Sequence, residues 1–320
     1  MELSSAPTRA SFGQKLKGFF TAPPCPGAVF LISTTAVSAI SVAAREKKVR
    51  SHAVLPLRPG LVEPHFDKKN IQDPVALADA LKRELVRLHY AGEKAACLLP
   101  EPCLRIFVFS FESLPMPEKE RRKLFLWRAK KQLPLLPDDI RLSYQVMNAG
   151  TSPRVLVSLA RASVLDEYEN VLQKAGIKVG LLTTPTLSLL NLVDWEKERD
   201  FLLVNVTADS TSLVAVSDGL ISLFRIKPHS LESAGQALDR FKVENVMTEI
   251  DNTIHFLEDR EKRTLSALWL HSDSAALKAA LGDGLRGRFS FPVKEFNVAF
   301  PSGCRESEKG LLVPLFGQMP

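Results

Sequence analysis

The chain has 320 residues, of which 45% are hydrophobic and 24% are charged, and its formal net charge is +6. This ordinary globular composition excludes a disordered or low-complexity chain, and the length suits two packed lobes better than one small core. The four cysteines form no CxxC pair and the six histidines are dispersed, so neither a disulfide framework nor a metal site is predicted.

The chain begins with a polar segment, residues 1–26, that turns basic (QKLKGFF) and then proline-rich. This composition predicts a mobile tail ahead of the first ordered strand. The uncharged stretch 28–44 comes next, with apolar residues on both sides of Ser33, Thr34 and Thr35. We predict a β-hairpin that turns at these three residues. A transmembrane helix and a cleaved signal segment are alternatives, which its 17 residues and five hydroxyl side chains disfavour.

Helix and strand signals alternate through the next part of the chain. Asp73 and Pro74 predict a helix start, because an N-cap acceptor precedes proline at the first helical position. An apolar strand is expected over residues 103–109. Strand, strand, helix and strand in this order indicate an α/β lobe.

A second group of elements indicates a small subdomain inserted into this lobe. A helix is predicted from Pro117 to Leu133, with Trp127 on its apolar side. A strand at 154–160 and a helix at 163–175, ended by a glycine, complete a βαβ-like unit. We therefore predict a first lobe at 27–110, an inserted subdomain at 111–180 and a return to the first lobe at 181–200.

The remaining residues, 201–320, predict a second lobe. Two apolar strands are separated by Asp218-Gly219, the strongest hairpin signal in the chain. A long helix with a regular apolar face should then extend over 231–257. A strand at 266–271, a helix at 274–281 and a short strand at 292–295 are expected to complete the lobe.

The segment 119–131 contains seven basic residues and a single acid, Glu120. Such a stripe is either a solvated helix face or a surface for phosphates or anionic lipid headgroups. Together with the basic leader it supplies the candidate membrane-surface residues, which are Lys15, Lys17, Arg121, Arg122, Lys130 and Lys131.

The order of these elements resembles the PilM family of type IV pilus proteins. The likeness is carried by four segments: the leader QKLKGFF, RRKLFLWRAKKQLPLLPDDIRLSYQVM at 121–147, VLDEYENVLQKAGIKVGLLTTPTLSLLN at 164–191, and TEIDNTIHFL at 248–257. Gly310-Leu311-Leu312 stands near the family's closing helix. The resemblance implies an α/β, two-lobed actin-like (ribonuclease H-like) fold with a small α/β subdomain inserted in the first lobe.

The resemblance also implies two hairpins that hold nucleotide phosphates, and this chain departs from both motifs. The first should contain an aspartate, a glycine and a lysine where the sequence has Leu31, Ser33 and Ser38. The second should read Asp-x-Gly and reads Asn205-Val206-Thr207, while His271-Ser272 replaces a Gly-Gly pair. These losses remove the charges on which phosphoryl transfer depends. The vestigial nucleotide-site residues are Thr34, Thr35, Asn205, Asp209, Ser210 and Thr211, although turns favour such hydroxyl residues in any case.

The resemblance implies a non-catalytic cytoplasmic scaffold, peripheral to the inner membrane, in a type IV pilus or type II secretion-like assembly. Its partner would be the N-terminal peptide of a PilN-type inner-membrane protein, with other pilus platform proteins and an anionic lipid surface as further partners and no nucleic acid. Leu133, Leu135, Leu136 and Leu156 are candidates for the wall of the peptide groove, or equally for the core. No cofactor, or weakly bound ATP with magnesium, is expected. The alternative is an ATP-binding protein that still binds or slowly hydrolyses nucleotide.

Overall fold

The computed structural model of the chain describes residues 26–43, 48–92, 94–114, 117–147, 152–229, 237–259 and 262–319. The predicted tail, with Lys15 and Lys17, lies outside these residues except for Pro26. The described strands are β1 (Ala28–Ile32), β2 (Ala36–Ala43), β3 (Lys48–Pro56), β4 (Lys94–Leu98), β5 (Leu104–Ser110), β6 (Ile140–Met147), β7 (Arg154–Arg161), β8 (Lys178–Thr183), β9 (Phe201–Val206), β10 (Ser210–Ser217), β11 (Leu220–Pro228), β12 (Ala267–Ser272) and β13 (Val293–Glu295). The described α-helices are α1 (Pro74–Leu88), α2 (Glu118–Gln132), α3 (Ala162–Ala175), α4 (Pro185–Leu190), α5 (Ala237–Asp259), α6 (Ala275–Leu285) and α7 (Glu306–Phe316).

The first lobe is built on a five-stranded sheet in the order β3-β2-β1-β4-β8. The predicted hairpin is its centre, because β1 pairs antiparallel with β2 and parallel with β4. Alternate β1 residues enter two cores: Phe30 packs with α1 and α3, and Leu31 packs on the opposite face. The stretch 28–43 is therefore a buried hairpin. Among the residues that the structure describes, no helix combines the length and apolar character that crossing a membrane requires.

The last helix, α7, returns to the first lobe. Its residues Leu312, Leu315 and Phe316 pack with Val29 and Leu31 on the face of the sheet that α1 and α3 leave open. The prediction that all of 201–320 belongs to the second lobe is corrected accordingly. A mixed sheet buried on both faces needs a helical layer on each side, and α7 supplies the second one.

The inserted subdomain is the antiparallel sheet β5-β7-β6 covered on one face by α2. Its limits are 104–161, not the predicted 111–180, because β5 pairs along its whole length with β7. Helix α3 belongs instead to the first lobe, where Tyr168 is completely buried. The prediction for Trp127 is also wrong: this side chain is 52% exposed, and Phe125 and Ala129 form the buried face of α2.

The second lobe repeats the plan of the first, with the order β11-β10-β9-β12-β13. The predicted hairpin joins β10 to β11, and Asp218 and Gly219 both adopt positive φ, 56° and 73°. This is the left-handed conformation that a two-residue hairpin turn requires. Helices α5 and α6 cover one face of the sheet. The start of the long helix was predicted at residue 231, and residues 230–236 lie outside the described part.

Candidate functional site

Four elements converge between the lobes: the β1–β2 turn, the β9–β10 turn, the end of β12 and helix α7. The β1–β2 and β9–β10 turns are the two hairpin turns that, by the resemblance described above, would hold nucleotide phosphates. The cavity between them has a volume of about 20 Å³, which accommodates about one water molecule. We call this region the interlobe cleft. It is closed because side chains and backbone of the four elements fill it.

The β1–β2 turn uses its own serine to satisfy its backbone. The Ser33 hydroxyl accepts from the backbone N–H groups of Ala36 and Thr35, at 3.0 and 3.3 Å, and donates to the Ala36 carbonyl at 3.0 Å. A glycine at this position would leave those N–H groups free to approach a phosphate. Ser33 therefore makes this turn self-contained and leaves fewer N–H groups for an anion.

The β9–β10 turn is satisfied in a similar way. The Ala208 N–H donates to the Asp273 carboxylate at 2.9 Å, and the hydroxyls of Thr207 and Ser210 donate to Asp209 at 2.7 and 3.0 Å. Asp273 thus occupies the position of an anion, and burial raises its pKa to about 6. Burial also raises the pKa of Asp209. The described residues lining the cavity include no lysine or arginine, and burial lowers the pKa of His271. Lys242 lies beside the turn and donates to the Thr207 carbonyl at 2.9 Å, which leaves few positive charges to compensate a triphosphate.

Helix α7 seals the cleft through a close backbone approach. A Cβ added to Gly310 would lie 2.6 Å from the Ser272 carbonyl oxygen and 2.8 Å from that of Asp273, so only glycine fits. Pro314 has no N–H and cannot donate to the Gly310 carbonyl four residues earlier. The imidazole Nε2 of His271 lies 2.9 Å from this carbonyl oxygen and replaces the missing donor. His271, at a position where the resemblance implies a glycine, therefore holds helix α7 in place.

A buried chain of polar side chains extends from His271 to the first lobe. His271 Nδ1 lies 2.7 Å from Asn205 Oδ1, and Asn205 Nδ2 donates to Thr186 Oγ1 at 2.9 Å. The Thr186 N–H donates to the Glu101 carboxylate at 2.7 Å. All four side chains are buried. We call this series the interlobe network, because it joins β12, β9, α4 and the short 3₁₀ turn before β5.

The neutral form of His271 sets the hydrogen bonds of the network. Burial lowers the pKa of His271 to about 4, and the single N–H of the neutral imidazole lies on Nε2, where it donates to the Gly310 carbonyl. Nδ1 then accepts, so the Asn205 amide is assigned with its nitrogen towards the ring and its oxygen towards the Thr186 hydroxyl, which exchanges the two amide atoms in the contacts given above. At the other end of the network, burial raises the pKa of Glu101 to about 7, and its carboxyl group accepts from the Thr186 N–H.

The structure gathers only part of the predicted nucleotide site. Asp209 lines the cavity and Asn205 joins the interlobe network. Thr34 and Thr35 are partly or fully exposed at the first turn, and Thr211 bonds to His229 at the end of β11. The sequence reasoning did not include Glu101, Thr186 and Asp273, because no local motif marks them.

A much larger groove lies between the inserted subdomain and the rest of the chain. Its volume is about 810 Å³, within the range of ligand and peptide sites. Strands β6 and β8 line it, and each is the last strand of its sheet. No charged side chain is among the described residues that line the groove. These residues include Ser143, Gln145, Leu156, Leu181, Leu187 and Trp195.

The four leucines predicted for a groove wall fall in different places. Leu156 does line the groove. Leu133 and Leu136 pack in the subdomain core under α2, and Leu135 is 92% exposed away from the groove lining. The prediction is corrected for these three leucines, because the groove lies on the face of the subdomain sheet opposite α2. On strand β7, Leu156 points to the groove face, whereas Val155 and Val157 point to the core under α2.

Two five-stranded sheets facing each other across a cleft, with a small subdomain inserted in the first lobe, define a two-lobed actin-like protein. No protein-family model and no curated protein matches the sequence. The chain is similar to a chain of the PilM–PilN type IV pilus biogenesis complex, with a TM-score of 0.73 and 19% identity, covering 92% of this chain and 97% of that one. It is also similar to a Bacteroides thetaiotaomicron protein with an actin-like ATPase fold and unknown function, with a TM-score of 0.51, 11% identity and coverage of 92% and 97%. The predicted two-lobed actin-like fold is confirmed.

Proposed function

We propose that this chain is a non-catalytic scaffold that binds an extended peptide of a membrane protein within a type IV pilus or type II secretion-like assembly. The observation that carries this proposal is the contrast between the two cavities. The interlobe cleft has a volume of about 20 Å³ and the groove about 810 Å³. The place where a nucleotide would act is closed, and the place where a peptide would bind is open.

The groove has the features of a site for β-strand addition. The edge strands β6 and β8 present unpaired backbone groups, and an extended peptide can hydrogen-bond to such an edge while alternate side chains enter the groove. The uncharged lining, with Leu181 39% exposed, favours a peptide segment whose inserted side chains are apolar. Hydroxyl and amide groups, such as those of Ser143 and Gln145, supply hydrogen bonds without charge.

The partner in this proposal is the N-terminal cytoplasmic segment of a PilN-type inner-membrane protein. Support comes from the similarity to the PilM–PilN complex, whose two components form an assembly in type IV pilus biogenesis. The chain would then act at the cytoplasmic face of the inner membrane, where other pilus platform proteins also assemble. Its role would be to bind the membrane protein and hold it in place within the pilus or secretion assembly.

The absence of catalysis is part of the proposal and is supported by the cleft. ATP binding there would require displacement of α7, whose Gly310 backbone contacts the end of β12. It would also bring phosphates towards three acids that line the cavity, Glu101, Asp209 and Asp273, where the described lining contains no lysine or arginine and Lys242 bonds to the Thr207 carbonyl. No cofactor is therefore assigned to the cleft.

Calorimetry with two ligands tests the proposal. The purified chain is titrated with the N-terminal peptide of the PilN-type partner and, separately, with MgATP at millimolar concentration. We expect peptide binding and no heat from nucleotide. Micromolar ATP affinity would contradict the scaffold and favour an ATP-binding protein instead.

A matched pair of variants locates the peptide. Leu181→Asp places a charge in the uncharged groove and should weaken peptide binding at least ~10-fold, because burying an unpaired carboxylate costs well over ~1.4 kcal/mol. Leu135→Asp makes the same exchange at an exposed leucine away from the groove lining and should leave the affinity unchanged. Equal affinities for the two variants would exclude the groove as the peptide site.

A further inference from the structure

Helix α2 carries an unusual exposed face on the outside of the inserted subdomain. It contains seven basic and two acidic residues, and the side buried against the sheet is limited to Phe125 and Ala129. The exposed side includes Trp127, which is 52% exposed, and the helix is followed by Leu135, which is 92% exposed. Two of the largest exposed apolar side chains of the described chain therefore lie beside its densest cluster of positive charge.

Trp127 lies at the centre of the basic face. At about 100° per residue, position 127 is about 200° from both 125 and 129, so it points directly away from the core. Lys123 and Lys130 lie within about 60° of Trp127 on one side, and Lys131 lies about 40° away on the other. The Lys131 ammonium is 3.7 Å from the centroid of the Trp127 ring, a cation–π contact.

Much of this charge is not neutralised within the protein. Arg122 pairs with Glu118 at 3.6 Å and Lys123 with Glu120 at 3.1 Å. Lys119, Arg128 and Lys130 have no acidic partner among the described residues. Ion pairs this exposed contribute little to folding, so the cluster is not explained by stability.

We propose that this face binds the surface of an anionic phospholipid bilayer. Its contacts are Lys119, Lys123, Trp127, Lys130 and Lys131, with Leu135 at the end of the helix, and we call it the membrane face. Lysines attract the headgroup charges, and the indole ring sits at the boundary between headgroups and acyl chains, the depth that tryptophan prefers. Leu135, three residues after the end of α2, adds a second exposed apolar side chain that can insert. The proposal does not depend on the peptide function of the groove.

The composition of the face favours lipid over nucleic acid as the occupant. A phosphate backbone would use the positive charges but would leave Leu135 in water and the tryptophan without an apolar phase. The membrane face also differs from the sequence prediction. Arg121 is only half-exposed, and Arg122 donates to the Leu142 carbonyl at 2.8 Å, so both contribute to the subdomain itself.

Vesicle flotation of the full chain tests the proposal. The probes are vesicles of equimolar phosphatidylcholine and phosphatidylglycerol, with pure phosphatidylcholine vesicles as the neutral comparison. We expect binding to the anionic vesicles alone, and loss of binding at 1 M salt, where the screening length falls to about 3 Å. Tryptophan emission should shift to shorter wavelength on binding, and the Trp127→Phe variant should lose this shift while the chain still floats.

Charge-reversal variants separate this face from the basic leader. Lys130→Glu with Lys131→Glu should weaken vesicle binding by at least about 30-fold, since each basic residue contributes roughly fivefold near an anionic surface. Lys82→Glu with Arg83→Glu makes the same change of charge on the exposed side of α1 and should have little effect. Circular dichroism of both variants confirms folding. Equal flotation of the two variants, no flotation of the unaltered chain, or binding of an oligonucleotide without binding of vesicles would overturn the proposal.

Discussion

The contact between His271 and the Gly310 carbonyl allows a quantitative test of how α7 is held. The His271→Ala substitution removes contacts at 2.7 and 2.9 Å and leaves a carbonyl without a donor, because Pro314 cannot provide one. Each lost hydrogen bond is worth about 1 kcal/mol and the unsatisfied acceptor a further ~1–3 kcal/mol. We therefore expect a loss of about 3–5 kcal/mol in the free energy of unfolding.

A second substitution isolates the contribution of the Gly310 carbonyl. Pro314→Ala restores an N–H in the right place of the helix for a bond from residue 314 to Gly310. In this background His271→Ala should cost ~1–2 kcal/mol less than in the unaltered chain, because the carbonyl keeps a donor. The difference between the two costs is the coupling energy of a double-mutant cycle, which cancels the loss of proline ring packing.

Urea unfolding followed by tryptophan fluorescence measures all four proteins of the cycle at pH 8. At this pH the imidazole is neutral in both folded and unfolded chains, so its protonation does not contribute. The reasoning would be refuted by a coupling energy of zero, with His271→Ala equally costly in both backgrounds. That result would mean that the imidazole stabilises the cleft by packing alone.

Two further predictions concern the same region. Burial raises the pKa of Glu101 from 4.5 to about 7. Between these two pH values the folded chain holds a proton on Glu101 that the unfolded chain has lost. The free energy of unfolding therefore falls as the pH rises from about 4.5 to 7. Glutamine cannot ionise, so the Glu101→Gln variant should gain up to about 3 kcal/mol in stability relative to the unaltered chain between pH 5 and pH 8. Urea unfolding of both proteins at the two pH values measures this gain. A stability difference between the two proteins that is the same at both pH values would argue against the raised pKa. Gly317→Ala would drive a Cβ into the Ser188 carbonyl oxygen, so we expect a fall of several degrees in the thermal midpoint. Gly282→Ala is the control, because that glycine, like Gly317, does not have a positive φ and has open space around it.

Local patterns in the sequence were sufficient to predict the hairpins and most helices. The β1–β2 and β10–β11 turns are marked by residues that adopt turn conformations, and Asp73 caps α1 through a bond from the Ala76 N–H at 3.0 Å, as expected. Trp127 was misassigned because aromatic residues usually face a core, whereas α2 covers its small sheet with Phe125 and Ala129 and with the partly buried Leu124 and Leu126.

The closed cleft was not predictable from local pattern. Asp273 is 65 residues from the N–H that it accepts, and Glu101 is 85 residues from Thr186. In the sequence, Asp273 and Glu101 cannot be told apart from ordinary surface acids, because their partners become neighbours only in the folded chain. The departures at Leu31, Ser33 and Asn205 from the motifs that the resemblance implies predicted a weakened nucleotide site. They did not indicate that Glu101, Asp209, Asp273 and helix α7 line the cleft.

Helix α4 connects the closed cleft to the open groove. Thr186 belongs to the interlobe network and Ser188 donates to the Pro314 carbonyl of α7, whereas Leu187 and Leu190 line the groove. Opening the cleft would pull on one side of this six-residue helix and move the groove wall on its other side. A cleft held shut by hydrogen bonds therefore keeps the groove in one geometry, and a preformed groove spares its ligand the entropic cost of ordering it. For the scaffold proposed above, which needs no nucleotide-driven movement of the lobes, a fixed groove is the more useful property.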